Sequence, residues 1–195
     1  ANDLPPHQMV RTTQYRLCVA GVALAAPPML LFSPEILTIA ADRGLPEQWV
    51  PLCVAVGSAA SAAGRLLCPA ASDHWGRKPV LYGVYAALAA GSIGFAFAQG
   101  WWVLAAYCVL TCFYSGGAAV QPALNTDLFG LAHAGVNYGL IALGMSAGSL
   151  LSYAGSQLLD LPARHMLAVA SAVAGGICFL FVKPVATVEK QQGNG

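Results

Sequence analysis

The chain has 195 residues, of which 57% are hydrophobic and 9% charged, and its net charge is +1 at pH 7. An ordinary soluble domain carries about a quarter charged residues, and 17 formal charges (9 basic plus 8 acidic) are too few to cover a water-soluble protein of this length. The near-zero net charge also argues against the basic face that nucleic-acid binding requires, so no nucleic-acid partner is expected.

Residues 1–16 are mostly polar and read as a mobile segment without a cleavable signal peptide. Six apolar blocks follow, running roughly Leu17–Ala40, Trp49–Ala71, Pro79–Ala98, Trp101–Leu124, Val136–Leu159 and Met166–Val182. Each is near the ~20 residues that a helix needs to cross a bilayer. The blocks are too long and too uniform for strands, and an open sheet cannot satisfy its backbone in lipid. The expected fold is therefore all-α: a polytopic membrane protein with a six-helix bundle over 17–183 and polar ends at 1–16 and 184–195.

The first block contains Pro27, Pro28 and Pro34, and Glu35 reads as an interfacial acid near its outer end. The second carries Gly57, Ser61 and Gly64 at three- or four-residue spacing, a smooth face for close helix packing in lipid. It also holds one charge, Arg65. The fourth contains Gly116, Gly117 and Pro122, and paired interruptions in the leading helices of two three-helix groups point to a substrate path. Asp127, with Asn125, falls at its inner end and Gly130 suits the turn beyond. The fifth repeats the small-residue pattern at Gly144, Gly148 and Ser152. The six cysteines all fall in apolar blocks and read as packing residues. His133 and His165, near helix ends, read as satisfied surface groups. No metal site or cofactor is expected.

Six spans put both ends of the bundle on one side. With the ends inside, that side carries Arg11, Arg16, Arg77, Lys78, Lys183 and Lys190 against Arg43 and Arg164 outside, the bias expected of cytoplasmic loops. Trp49, Trp101 and Trp102 then lie at the outer boundary, where amphipathic rings settle. The expected location is the cell (inner) membrane, with the lipid bilayer as solvent.

Charge is concentrated in ASDHWGRKPVL, residues 71–81. Arg77 and Lys78 anchor this inner loop, Gly76 permits the reversal, and Pro79 suits the first turn of the next helix. Asp73 closes a helix whose C-terminal dipole repels anions, so it needs a partner, either Arg77 or another helix N-terminus. An acid so placed is a candidate latch.

The S-D-H-W-G-R-K run at 72–78 resembles the D-x-x-G-R-K/R signature of the major facilitator superfamily, which occurs between helices two and three of each six-helix half. G-R-L at 64–66 and Q-P-A-L-N-T-D-L-F-G-L-A-H-A-G-V-N-Y-G at 121–139 resemble the C-terminal half of the oxalate/formate antiporter branch, with monocarboxylate transporters as close relatives. The resemblance implies one half of a twelve-helix carrier, with an N-terminal six-helix half as partner and a small organic anion as substrate. The candidate gating and loop-motif residues are Asp73, Gly76, Arg77 and Lys78, with Asp127 read as a capping or loop-latching acid.

Arg65 matches the substrate-binding arginine of these relatives, and a guanidinium fork suits a carboxylate. Ser61 stands one turn earlier, where monocarboxylate relatives carry aspartate. The fifth block reads L-I-A-L-G-M-S-A-G where oxalate carriers place a lysine. A single cation suits a monoanion better than a dianion. Other readings are a carrier of the superfamily for a sugar, drug or other metabolite, and a six-helix scaffold. G-M-S-A-G at 144–148 fits a hydrolase pattern, but that pattern has meaning on a strand-to-helix turn, so no catalytic residue is expected.

Overall fold

The computed structural model describes residues 3–183. The helices are α1 (Pro6–Met9), α2 (Thr13–Leu24), α3 (Pro27–Leu30), α4 (Ile36–Asp42), α5 (Leu52–Trp75), α6 (Arg77–Phe97), α7 (Trp101–Phe129), α8 (Ala134–Leu158) and α9 (Leu161–Phe181). Among the described residues there is no strand. Six stretches are long and apolar enough to cross a membrane: Thr13–Asp42, Glu47–Trp75, and then α6, α7, α8 and α9 in turn.

The first span is broken into α2, α3 and α4, and its prolines are the reason. Proline has no N–H, so Pro27, Pro28 and Pro34 leave carbonyls one turn earlier without helical donors. A short 3₁₀ turn, Ser33–Glu35, joins α3 to α4. The fourth span differs from expectation: α7 continues through Gly116, Gly117 and Pro122 to Phe129. Its glycines serve contact rather than interruption. A Cβ on Gly116 would lie 2.3 Å from Cys68 Sγ, and one on Gly117 would lie 2.9 Å from Val84 Cγ1.

In the bundle α5 packs along α7, α6 lies between α7 and α9, and α2 rests on α8 and α9. Backbone contact is closest at the small-residue faces. A Cβ at Gly64 would fall 2.0 Å from the Cys112 carbonyl oxygen, and those at Gly144 and Gly148 would fall 2.5 and 2.3 Å from the carbonyls of Val19 and Ala23. Phe32, Phe95, Phe129 and Phe179 are fully buried. By contrast, α5 exposes Leu66 and Leu67, and α8 exposes Leu143, Leu150 and Tyr153.

Both ends of the bundle lie on one face, called here the near face; the opposite face is the far face. Residues 3–12, expected to be mobile, are seated on the near face. Leu4 N–H donates to the Phe129 carbonyl at 2.9 Å, Asn137 Nδ2 donates to the Leu4 carbonyl at 3.0 Å, and Met9 is wholly buried. The Asp3 carboxylate accepts from the amides of Leu131 and Ala132 at 2.9 and 3.0 Å. Thr12 then caps α2 by accepting from Tyr15 N–H. Two apolar anchors and a set of backbone partners hold a segment that composition alone reads as free. The tail 184–195, with Lys190, lies outside the described residues.

Candidate functional site

A cavity of about 740 Å³ opens between the first, second and fourth spans. The second span contributes one continuous face, Val54, Gly57, Ser58, Ser61, Ala62 and Arg65, at the three- and four-residue steps that align on a helix. The first span contributes Met29, Ser33 and Ile36 around its break, and the fourth contributes Tyr107 and Thr111. The proline break thus brings Ser33 to the cavity wall, where its Oγ lies 3.1 Å from Tyr107 Oη. Gly57 leaves room for that ring: a Cβ there would come within 2.6 Å of Tyr107 Cε1. Ser61 Oγ meets Ser115 Oγ at 2.6 Å, joining the second span to the fourth.

Arg65 lies farther from the end of its helix than expected. The second apolar block ends at Ala71, about 9 Å beyond Arg65, but α5 continues to Trp75, ten residues past it and about 15 Å along the axis. The ion pairs among the described residues are Arg77–Asp73, Arg77–Asp127 and Arg164–Glu35, and none involves Arg65. Arg65 is exposed and lines the cavity; its guanidinium offers five donors in a planar fork, with no ion pair among the described residues. Tyr107, Thr111 and Ser115 do not stand out as a group in the sequence, although their four-residue spacing in an apolar span is a signal of a polar face.

The charged knot of 71–81 is not a loop. α5 ends at Trp75 and α6 begins at Arg77, so Gly76 alone makes the reversal, at φ 92°. Glycine is required by that left-handed backbone. Arg77 pairs with Asp73, donates to Ser72 Oγ at 2.8 Å, and reaches Asp127 of α7 at 3.3 Å. Lys78 Nζ donates to the Val182 carbonyl just past α9, a favourable place for a cation. Of the residues expected to form a gating motif, Asp73, Arg77 and Asp127 are thus brought together, Gly76 sets the turn, and Lys78 binds elsewhere.

On the far face Glu35 pairs with Arg164 at 2.9 Å, and Arg164 also donates to the carbonyls of Ser156 and Leu159 at 2.5 and 3.0 Å. Arg43, which follows α4, donates to the Phe95 carbonyl and has Nη2 3.1 Å from His165 Nε2. Burial lowers the Arg43 pKa from its ordinary value. His165, expected to be a satisfied surface group, has partners but is half-buried, stacked on Phe32 with ring centroids 4.6 Å apart. His133 remains exposed, ahead of α8. Trp49 and Trp101 meet on the same face at 5.8 Å. G-M-S-A-G lies within α8, with no strand-to-helix turn. No cluster of metal-ligating residues occurs among the described residues.

A six-span all-α bundle, with a charged cavity and an acid–arginine knot at one helix reversal, has the architecture of a multi-pass membrane protein. The sequence matches the family model of the Major Facilitator Superfamily over residues 15–194, and the chain belongs to that superfamily of membrane transporters. Among solved structures it is similar to one described as the human organic anion transporter MFSD10 (TETRAN), with TM-score 0.65 and 19% sequence identity, over 95% of this chain and 50% of that chain. At that identity the likeness concerns the fold, and the chain spans half the length of the matched protein. No curated protein matches it in sequence.

Proposed function

We propose that this chain is the C-terminal half of a twelve-helix secondary carrier that moves a small monoanionic carboxylate by alternating access. Arg65 is the anion site, with Ser61 beside it. The observation that carries the reading is the Arg65 guanidinium, about 15 Å inside its helix end and facing a cavity without a protein counter-charge among the described residues. An intramembrane cation is costly unless compensated, and a bound anion compensates it. The carboxylate-carrier resemblance of residues 64–66 and 121–139 agrees with this chemistry. The matched structure, described as an organic anion transporter and about twice the length of this chain, is compatible with it.

An N-terminal half is the natural partner for the exposed apolar faces of α5 and α8, and two halves rocking about a midplane site make an alternating-access device. The near face, rich in Arg and Lys, is the cytoplasmic one. The Asp73–Arg77–Asp127 cluster is a latch of that face.

The test is carboxylate binding by the intact carrier in detergent or nanodiscs. A charge-assisted hydrogen bond contributes about 1.5–3 kcal/mol, or roughly ten- to hundredfold in affinity. Arg65→Gln should lose at least that much, and Arg65→Lys, which keeps the charge but not the fork, should fall between. Equal affinities in wild type and Arg65→Gln would remove Arg65 from the site.

A further inference from the structure

The far-face cluster around His165 lies outside the lining of the Arg65 cavity, and its chemistry is constrained to an unusual degree. A guanidinium can only donate. With Arg43 Nη2 3.1 Å from His165 Nε2, that nitrogen must present its lone pair. The ring is therefore neutral, with its proton on Nδ1, and Nδ1 is buried without a partner among the described residues. Protonation would remove the acceptor from Arg43 and place two cations in contact.

The neighbouring groups offer no relief. On its own helix, His165 follows Arg164, another cation, while Asp160 is engaged in capping α9 through Ala163 N–H at 3.1 Å. From the first span, Glu35 is held by Arg164 at 2.9 Å, and Asp42 is exposed without an ion pair among the described residues. Glu47, at the start of the second span, is likewise exposed and unpaired among them. The third span presents the Phe95 ring and carbonyl, and Arg43 already occupies both, its guanidinium lying 5.1 Å from the ring centroid. A position in the second turn of α9 adds a small further penalty, since a helix N-terminus disfavours positive charge.

Arg43 is also the fastener of the far face. Its guanidinium ties the end of the first span to the third and sixth, and its carbonyl accepts from Gly100 N–H at 2.8 Å, at the start of the fourth. The His165 ring stacks on Phe32, and the next residue, Ser33, lies in the wall of the Arg65 cavity and meets Tyr107. The fastener and the cavity therefore share the broken stretch of the first span.

We infer that the Arg43–His165 contact is a proton-operated fastener of the far face: neutral His165 holds the first, third and sixth spans together, and its protonation from the far-side solution releases them. Release moves Phe32 and with it Ser33, so acid on the far side alters the cavity mouth. Only this last step rests on the cavity being a substrate site.

The test is hydrogen–deuterium exchange of the intact carrier between pH 8 and 5, corrected for the intrinsic pH dependence of exchange. Peptides covering 40–45 and Gly100 should lose protection at least tenfold in wild type as the pH falls, along a one-proton curve. His165→Gln, neutral throughout and still able to accept, should stay protected and show no step. His165→Phe, which keeps the stack but not the acceptor, should be unprotected at every pH. Glu35→Gln should retain the step. A flat wild-type profile, a step surviving in His165→Gln, or a step lost in Glu35→Gln would each overturn the proposal. Exchange is read without substrate, so failed carboxylate binding with an intact step would sink the anion site and leave the fastener standing.

Discussion

Arg77 holds two carboxylates at once: Asp73, four residues earlier across the Gly76 reversal, and Asp127 on the fourth span at 3.3 Å. One guanidinium thereby joins the near-face ends of three spans. Asp73 and Asp127 are 67% and 54% exposed, against 23% for Arg77, so each pair contributes no more than about 1 kcal/mol. That is a small term in stability. It is a useful one for a conformational equilibrium, where 1 kcal/mol shifts populations about fivefold.

Asp73→Asn should therefore leave membrane insertion and thermal stability close to wild type while shifting the balance of the two access states up to about fivefold. Asp127→Asn should shift it in the same direction, and the double variant should show coupling because both acids share Arg77. Accessibility of single engineered cysteines on each face measures the balance. Unchanged labelling in both variants would reduce the cluster to a turn-stabilising feature.

The glycines make a sharper structural prediction. Gly64→Ala places a methyl 2.0 Å from the Cys112 carbonyl, and that atom is backbone and cannot turn aside. The second and fourth spans must separate, at a cost of about 1–3 kcal/mol, visible as a lower midpoint of thermal unfolding. Gly83 and Gly94, on α6, have nothing within 4 Å of the point where a methyl would stand. Alanine there should be neutral or raise stability by up to about 1 kcal/mol, because glycine is the poorer helix former.

Span number and packing faces were legible because lipid leaves few alternatives: long apolar blocks become helices, and small residues at three- and four-residue spacing mark where backbones meet. Asp73 was legible as an acid needing a partner because a helix C-terminus opposes it. Other features depend on long-range placement. Nothing local in residues 3–12 announces that Leu4 and Met9 have pockets to fill. His165 acquires Arg43 from 122 positions away. The Pro122 region looks as breakable as the Pro27 region, yet α7 continues through it as one helix.

The near-face segment yields a pH prediction of definite sign. The amides of Ala132 and Leu131 hold the Asp3 carboxyl below its ordinary value of 3.8. A depressed folded pKa contributes stability above the unfolded value, and that contribution disappears as the pH falls through the folded one. Docking of residues 3–12 should thus be constant from pH 8 down to about 5 and weaken only in stronger acid. Asp3→Asn should loosen the segment at neutral pH, read as faster exchange of the Leu131 and Ala132 amides. A segment that loosens between pH 7 and 6 would point to another group.

The last prediction concerns the position one turn before the proposed anion site. Ser61 now bonds to Ser115 at 2.6 Å and carries no charge. Ser61→Ala removes one hydroxyl from the cavity wall and should change carboxylate affinity by no more than about threefold. Ser61→Asp is different in kind. An acid four residues before an arginine is the favourable helical orientation for an ion pair. The introduced carboxylate would occupy the guanidinium fork that the substrate needs, lowering affinity about tenfold or more at pH 7. Its protonation would free the fork again, so affinity should recover as the pH falls, provided the substrate stays ionised. Wild type, with no acid at this position, should show no such recovery. Binding titrations of the intact carrier at pH 7 and 5 measure both effects. If Ser61→Asp binds carboxylate as well as wild type at pH 7, Arg65 does not hold the anion from this face of the helix.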